Sequence, residues 1–265
     1  MSQPRIQPIE PGQPVITTQK LSKTFSTEGV QQHVLRNLDL QIRSGDFTVI
    51  MGASGAGKST LLYALSGMDR PTLGQVTFAG RDIVGLSESE LARFRRRHCG
   101  FVFQQIYLLD NMSLMDNAMA AGLLLGQGRK ARAAIAARAA NLFDQVGIDA
   151  ATRAKFPAQV SGGEAQRAAT VRGLINQPQV LFADEPTGAL DQTSGTAVLD
   201  VLTGVSRQGQ TVVMVTHDLK SAKRGNRIAY LRDGQIVGDL DLGEYQGDDA
   251  ARDAQLRSFL VEMGW

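Results

Sequence analysis

Cysteine is almost absent from this 265-residue sequence, in which Cys99 is the single example. One cysteine excludes a disulfide within the chain and any metal site built from several cysteines. We expect Cys99 to be a free thiol in a reducing compartment. No apolar run reaches the roughly 18 residues that a membrane-spanning helix requires. Together these absences predict a cytosolic protein that does not itself cross a membrane.

Net charge is also small, because 28 lysines and arginines stand against 26 acidic residues. The chain therefore has no overall field to attract nucleic acid or an anionic membrane. A basic run, Arg93 with Arg95 to Arg97, lacks the interleaved aromatic residues of a nucleic-acid platform, which favours a solvated helix face. Residues 1–14 are rich in Pro and Gln and lack the apolar centre of a secretory signal, so we expect a flexible N-terminal tail.

Short apolar runs alternate with helical patterns along residues 15–242, which predicts an α/β domain with a mostly parallel core sheet. The apolar runs 47–51, 180–183, 211–216 and 227–231 are the predicted strands. Asp233 and Gly234 predict the turn of a late hairpin. A helix is predicted before Gly209 from the helical spacing of Ala197, Val198, Val201, Leu202 and Val205.

Residues 87–173 differ from the rest, because they are rich in Ala and Arg and show few strand signals beyond 100–103. One helix face there consists of Ile135, Ala139, Leu142, Phe143 and Val146. We therefore predict an inserted α-helical subdomain. Residues 243–265 form a predicted C-terminal extension, whose short helix should pack onto the domain through Leu256, Phe259, Leu260 and Met263.

A glycine-rich loop follows the predicted strand 47–51 and precedes a predicted helix. Its residues are Gly52, Ala53, Ser54, Gly55, Ala56, Gly57, Lys58 and Ser59, followed by Thr60. This pattern is typical of a phosphate-binding loop, in which backbone amides surround the phosphates of a nucleotide. We expect Lys58 to reach the β- and γ-phosphate oxygens and Ser59 to ligate Mg²⁺.

Two carboxylates, Asp184 and Glu185, end the apolar strand 180–183. Asp184 is suited to hold Mg²⁺ through its water shell, since carboxylate oxygen is a hard ligand. Glu185 is then placed to polarise an attacking water as a general base. Acidic residues at a strand end are common in solvated loops, and the phosphate-binding loop is what favours the catalytic interpretation.

Three further residues have two open interpretations each. His217 follows the strand 211–216 and could sense the γ-phosphate, although a lone histidine at a strand end is more often structural. Gln104 could touch Mg²⁺ or the attacking water, or be an ordinary loop residue beside Gln105. Phe25 could stack on adenine or belong to the core.

A second anion site is predicted at Ser161, Gly162 and Gly163, ahead of a helix at 164–174. Adjacent glycines let backbone amides converge on an anion, and the positive end of the helix would point at the same place. The chain already has one phosphate cradle, so a second one needs an explanation.

Together these motifs resemble the nucleotide-binding subunit of ATP-binding-cassette (ABC) transporters over residues 15–237. In that resemblance, residues 52–59 are similar to the Walker A loop, residues 180–185 to Walker B, and residues 161–164 to the ABC signature. Gln104 is similar to the Q-loop glutamine, His217 to the switch histidine, and residues 189–191, ending in Asp191, to the D-loop. Phe25 stands where the family has an adenine-stacking aromatic residue. Val160 and Glu164 depart from the usual Leu and Gln of the signature.

The resemblance implies the fold of a P-loop NTPase cassette, with a mostly parallel core sheet, an antiparallel β subdomain and the inserted α-helical subdomain. It also implies an ATPase that requires Mg²⁺ and forms a homodimer, in which two copies enclose two ATP molecules head to tail. Residues 101–109 and 186–191 resemble the lipoprotein-release, macrolide-export and antimicrobial-peptide-resistance branch. That branch implies an FtsX-like permease partner and attachment to the cytoplasmic face of the membrane through the permease. The balanced charge predicts no nucleic-acid partner. The alternatives are a regulatory ATPase that controls such a membrane partner without transport, and a soluble ABC ATPase.

Overall fold

The structure is a computed structural model that describes residues 10–27, 29–126, 128–247 and 249–265. Most of the predicted N-terminal tail, residues 1–9, lies outside the described residues. The chain divides into two compact units, the first formed by Met1–Leu91 with Gly209–Trp265 and the second by Ala92–Gln208. The second unit contains most of the predicted helical stretch 87–173 and continues to Gln208. The predicted domain boundaries stay a prediction.

Ten strands are formed by the described residues. They are β1 (Pro14–Thr27), β2 (Val30–Arg43), β3 (Phe47–Met51), β4 (Leu73–Phe78), β5 (Arg81–Asp82), β6 (Cys99–Phe103), β7 (Val180–Asp184), β8 (Thr211–Val215), β9 (Arg227–Arg232) and β10 (Gln235–Asp241).

Nine α-helices are formed by the described residues. They are α1 (Lys58–Leu65), α2 (Glu88–His98), α3 (Leu114–Leu123), α4 (Arg129–Gln145), α5 (Ala150–Arg153), α6 (Gly162–Leu174), α7 (Gln192–Arg207), α8 (Leu219–Ala222) and α9 (Ala250–Glu262). A short 3₁₀ turn at Pro157–Gln159 precedes α6.

The first unit contains two kinds of sheet. Strands β2, β1, β4 and β5 pair antiparallel in that order. Strands β9, β3 and β8 are parallel neighbours, and β10 pairs antiparallel with β9 through the predicted hairpin. Every residue of β3 is buried, as expected for a strand covered on both faces. Residues 21–25, which include Phe25, lie inside the long strand β1.

The second unit combines a parallel strand pair, β6 and β7, with a helical core. The predicted face of α4 is confirmed, because Ile135, Ala139, Phe143 and Val146 are buried in this core and Leu142 packs against it. Helices α3 and α6 complete the cluster with residues such as Leu114 and Val171. The predicted combination of parallel strands, an antiparallel β subdomain and an α-helical subdomain is therefore confirmed.

The C-terminal helix α9 packs onto the first unit, as predicted. Leu256 and Leu260 are almost fully buried, and Phe259 is 9% exposed. Phe259 and Met263 lie against Gly238 in β10, where a Cβ would meet both side chains. Across the described residues, no helix combines the length and apolar character that crossing a membrane requires.

Candidate functional site

The phosphate loop, residues 52–59, lies in the first unit between β3 and α1. Lys58 is 7% exposed, and its Nζ donates hydrogen bonds to the carbonyl oxygens of Gly52 and Ala53, both at 3.0 Å. Gly57 has a φ of 98°, and a Cβ there would lie 2.9 Å from Cγ1 of Val34. Only glycine therefore fits this position without strain.

This loop fits the triphosphate of a nucleotide. Helix α1 begins at Lys58 and has no acidic residue in its first turn, so the positive end of the helix suits an anion. The buried ammonium group lies inside the loop, where a phosphate oxygen can replace the carbonyl oxygens that it now contacts. Ser59 and Thr60 follow in the first helical turn, and Ser59 supplies the hydroxyl that suits Mg²⁺.

His217 lies at the same sheet edge as the phosphate loop. It follows β8 by two residues, and β8 pairs in parallel with β3 in a register that places Val215 opposite Ile50. Because the carboxyl ends of parallel neighbours meet at one edge, the structure brings the His217 segment and the loop together within the first unit. The role of His217 as a γ-phosphate sensor stays a prediction.

Phe25 has a half-exposed ring on β1, with 41% of the residue accessible. The Nζ of Lys23 lies 4.8 Å from the ring centroid. The neighbouring strand β2 contributes Val34, which contacts Gly57 of the phosphate loop. The ring is thus accessible rather than part of the core, which leaves stacking on a base as its predicted role.

Asp184 and Glu185 differ sharply in their surroundings in the second unit. Asp184 is the last residue of β7 and is only 9% exposed. Glu185 adopts a φ of 44°, a left-handed conformation that costs free energy for a residue other than glycine. Its carbonyl oxygen accepts a hydrogen bond of 3.0 Å from the amide of Gly188. The strained turn redirects the chain immediately after the buried carboxylate.

Gln104 lies against the loop that follows Glu185. A Cβ at Gly188 would lie 2.9 Å from Nε2 of Gln104 and 3.2 Å from its Cδ. The structure therefore brings together, within the second unit, the predicted Q-loop glutamine and the segment after the predicted catalytic carboxylate. The roles of Gln104 and Asp184 as ligands of Mg²⁺ stay predictions.

The 161–163 turn is the start of α6, with Ser161 as its N-cap. The amide and hydroxyl of Ser161 donate to the carboxylate of Glu164 at 2.8 and 2.9 Å, and Oγ accepts from the Glu164 amide at 3.2 Å. The two bonds that the carboxylate accepts, first that from the Ser161 amide and then that from its hydroxyl, lower the pKa of Glu164 below its usual value. The Ser161 hydroxyl must turn away from Glu164 to reach a phosphate, which the sequence did not reveal.

Gly163 packs directly against the first turn of α7. A Cβ on Gly163 would lie 2.7 Å from both Cβ and Oγ of Ser194. Asp191 caps α7 by accepting from the amides of Thr193 and Ser194 at 2.9 and 3.0 Å. These hydrogen bonds lower the pKa of Asp191, and the bond from Ser194 has the largest effect. The predicted signature and D-loop residues are thus neighbours.

Two residues of α6 that sequence reasoning missed also contact this region. Gln166 is 1% exposed and donates to the carbonyl oxygens of Phe103 and Pro186. Arg172 donates to the carbonyl oxygens of Ile106 and Tyr107. In the sequence, the signal for Gln166 is that it is a polar residue among the small apolar residues of α6.

Metal binding by a cluster of side chains is not indicated in the part of the chain that the structure describes. No group of three or more His, Cys, Asp or Glu residues is placed there to hold an ion. A cation that binds with few protein ligands, as Mg²⁺ on nucleotide phosphates does, does not need such a cluster.

Comparison with known families shows that most of these motifs belong to one family domain. A protein-family model described as "ABC transporter" matches residues 35–188, which include the phosphate loop, the 161–163 turn and Glu185. The chain belongs to the ABC transporter family. The resemblance stated from the sequence is therefore confirmed, and the chain is an ATP-binding cassette of this family.

Curated relatives of this ABC cassette include macrolide export ATP-binding/permease proteins named MacB. The protein from Rhodopseudomonas palustris is 44% identical over 219 residues, covering 83% of this chain and 33% of the relative. The one from Sodalis glossinidius is 41% identical over 226 residues, covering 85% and 34%. This chain thus spans about a third of their length. An uncharacterized ABC transporter ATP-binding protein of Methanocaldococcus jannaschii is 40% identical, covering 84% of this chain and 98% of the relative.

Solved structures of ABC cassettes share the fold. A dimeric structure of the cassette MJ0796 in a post-hydrolysis state, bound to ADP and Pi, is similar with a TM-score of 0.78 at 33% identity. It covers 87% of this chain and 100% of the neighbour. A second dimeric structure of MJ0796 has a TM-score of 0.79 at 34% identity, with the same coverage.

Proposed function

We propose that this chain is the ATP-binding and ATP-hydrolysing motor subunit of an ABC exporter or mechanotransmission complex. The observation that supports this most directly is the phosphate loop with the buried Lys58 at its centre, in a chain of this family. ATP is the substrate and Mg²⁺ its counter-ion, which neutralises charge on the phosphates when bound.

The residues of the chain divide the chemistry among them. Lys58 binds the β- and γ-phosphate oxygens, and Ser59 and Asp184 offer oxygen ligands to the metal ion. Glu185 accepts a proton from the attacking water, with Gln104 and His217 orienting the water and the γ-phosphate. Glu185 has a strained, left-handed backbone conformation. Such strain is expected at a residue whose carboxylate the fold holds in one orientation.

The catalytic site is proposed to be shared between two copies of the chain. Ser161 and Gly163 of one copy contact the γ-phosphate held by Lys58 and Ser59 of the other. The neighbouring Asp191 segment and Ser161 then belong to one contact surface, since Gly163 packs on Ser194. The two MJ0796 structures are described as dimeric, which supports this assembly.

The membrane partner is proposed to be an integral FtsX-like permease, which would hold this chain at the cytoplasmic face of the membrane. Tyr107 and Leu109 offer an apolar surface, with 63% and 51% of each residue exposed. We expect the permease to contact residues 107–117. Asn117, at the end of this stretch, is buried, and its side chain forms hydrogen bonds with the backbone of Leu109, Met112 and Ser113. The names of the MacB relatives favour export of a macrolide, with a lipoprotein or antimicrobial peptide as other substrates of this branch.

Steady-state ATP turnover tests the proposed activity. The purified chain with Mg²⁺ and ATP is expected to release phosphate, whereas Glu185→Gln should lower kcat by about 100-fold or more with nucleotide binding retained. Lys58→Ala should weaken nucleotide binding itself. Copies expressed with an affinity tag should also co-purify a permease. A wild-type chain that binds ATP without hydrolysing it, alone or with that permease, would refute the motor function.

A further inference from the structure

The segment 104–109 connects β6 to the turn before α3 without forming helix or strand. Backbone carbonyl groups in such a segment require other donors when they are withdrawn from water. Side chains of α6 supply them on both sides of Gln104. Gln166 donates to Phe103, immediately before Gln104, and Arg172 donates to Ile106 and Tyr107, immediately after it.

Gln166 makes two bonds with one amide group. Its Nε2 donates at 2.7 Å to the carbonyl oxygen of Phe103 and at 2.9 Å to that of Pro186, which follows Glu185. Its Oε1 is buried without a hydrogen-bond partner among the described residues. A buried acceptor without a partner costs free energy. The stabilising contribution of Gln166 therefore comes from the two hydrogen bonds that it donates.

Arg172 donates hydrogen bonds to the backbone on the other side of Gln104. One of its terminal nitrogens donates to Tyr107 and the other donates at 3.1 Å to Ile106. Tyr107 has a φ of 48°, a conformation that a residue other than glycine keeps only when its surroundings impose it. The guanidinium group therefore holds the backbone at the position where the chain is strained.

We propose that Gln166 and Arg172 are positioning residues that fix the 104–109 segment to helix α6, so that Gln104 and the 161–163 turn move as one body. The two residues lie six positions apart on one helix, which spans roughly 9 Å along its axis. That helix begins at Gly162, next to the capping residue Ser161. Gln166 also joins the loop after Glu185 to the same helix.

The functional consequence rests on the proposed ATPase activity. If Gln104 orients the attacking water and metal ion, loosening its segment slows the chemical step while nucleotide binding at the phosphate loop is unaffected. Each net hydrogen bond changes an equilibrium by roughly 3- to 10-fold. Loss of either residue's donors is therefore expected to lower kcat by about tenfold and to leave KM for ATP within about twofold.

The test uses Gln166→Met and Arg172→Met, with Arg138→Met as the matched control. Arg138 also donates to a backbone carbonyl in the second unit, that of Ile175 at 2.9 Å, but away from the 104–109 segment. Arg172→Lys keeps a donor and should recover part of the activity. If Gln166→Met does not fold, as its melting curve would show, the Arg172 variants decide the outcome.

Mobility of the segment is measured independently of ATP hydrolysis. Gln105 is exposed and lies between the two anchored positions, whereas the native Cys99 is buried, so a spin label can be attached selectively at Gln105→Cys. The label should become more mobile in the Gln166→Met and Arg172→Met backgrounds and stay unchanged with Arg138→Met.

Two results would overturn the proposal. One is an unchanged label spectrum in both variants, which means that α6 does not hold the segment. The other is increased mobility with an unchanged kcat, which means that the segment's position does not matter for the reaction. If the wild-type chain does not hydrolyse ATP, the proposed function fails, while the label spectra still decide whether α6 fixes the segment.

Discussion

At the scale of single residues, the absence of a Cβ at Gly163 meets two separate requirements. Its missing Cβ lets α6 approach Ser194 in α7, where a methyl group would lie 2.7 Å from the serine side chain. The same absence lets a backbone amide approach an anion. The first requirement concerns packing within one copy, and the second concerns the proposed contact with the partner copy's nucleotide.

A rescue experiment separates these two requirements. Gly163→Ala should lower ATP turnover by more than tenfold, because α6 and α7 are pushed apart at the shared site. Ser194→Gly removes both atoms that the new methyl group meets at 2.7 Å, so the double variant should recover turnover if packing is the cause. Turnover that stays low in the double variant, with a normal melting temperature, would assign the glycine to anion contact instead. Ser194→Gly alone is the control for the weakened α7 terminus.

Residues within one contiguous motif could be predicted from the sequence, whereas residues that act across the fold could not. Lys58 and Glu185 were found because their neighbours in the chain define their chemistry. The contact of Gly163 with Ser194 joins positions whose separation follows no local spacing rule. Gln166 was missed for the same reason, since its partners Phe103 and Pro186 are distant in sequence.

At the scale of elements, one arginine near the start of α9 hydrogen-bonds the helix to the rest of the first unit. Arg252 is 8% exposed and donates to the carbonyl oxygens of Lys223, Leu242 and Gly243. A further bond of 2.5 Å reaches Gly225, between α8 and β9. The guanidinium group thus joins the C-terminal helix to the chain on either side of the β9–β10 hairpin.

Replacing Arg252 by Met should destabilise the protein by roughly 2–4 kcal/mol, because several buried carbonyl oxygens lose their donors. The melting temperature should fall by about 5–10 °C. Arg257→Met, at an exposed position of the same helix, is the matched control and should change it little. A similar melting temperature for both variants in calorimetry would show that α9 is held by Leu256 and Leu260 alone.

Element types followed from the sequence more readily than element limits. Gly209, with a φ of 93°, ends the region of α7 as expected, and Asp233 and Gly234 form the hairpin turn. The length of β1 was missed, because its pairing with β2 and β4 extends a segment whose local pattern is irregular. Its register shifts obscure the alternation that identifies a strand.

At the scale of the whole molecule, the predicted functional residues are divided between two compact units. Lys58, Ser59 and His217 belong to the first, whereas Gln104, Ser161 and Glu185 belong to the second. The fold class could be predicted because strand and helix patterns alternate around the phosphate loop. The unit boundary at Gln208 could not, since it depends on contacts between distant segments.

In the proposed dimer, the 161–163 turn completes a site whose other half lies in a second copy. The most direct test is the mass of Glu185→Gln in solution, measured by light scattering with and without Mg²⁺ and ATP. A monomer of 28.5 kDa is expected without nucleotide, and a dimer of about 57 kDa, twice that mass, with saturating ATP. Adding Ser161→Phe to this variant should keep the chain monomeric while ATP binding is retained. A Glu185→Gln chain that stays at 28.5 kDa with ATP bound, or a double variant that dimerises equally well, would show that the 161–163 turn does not complete a shared site.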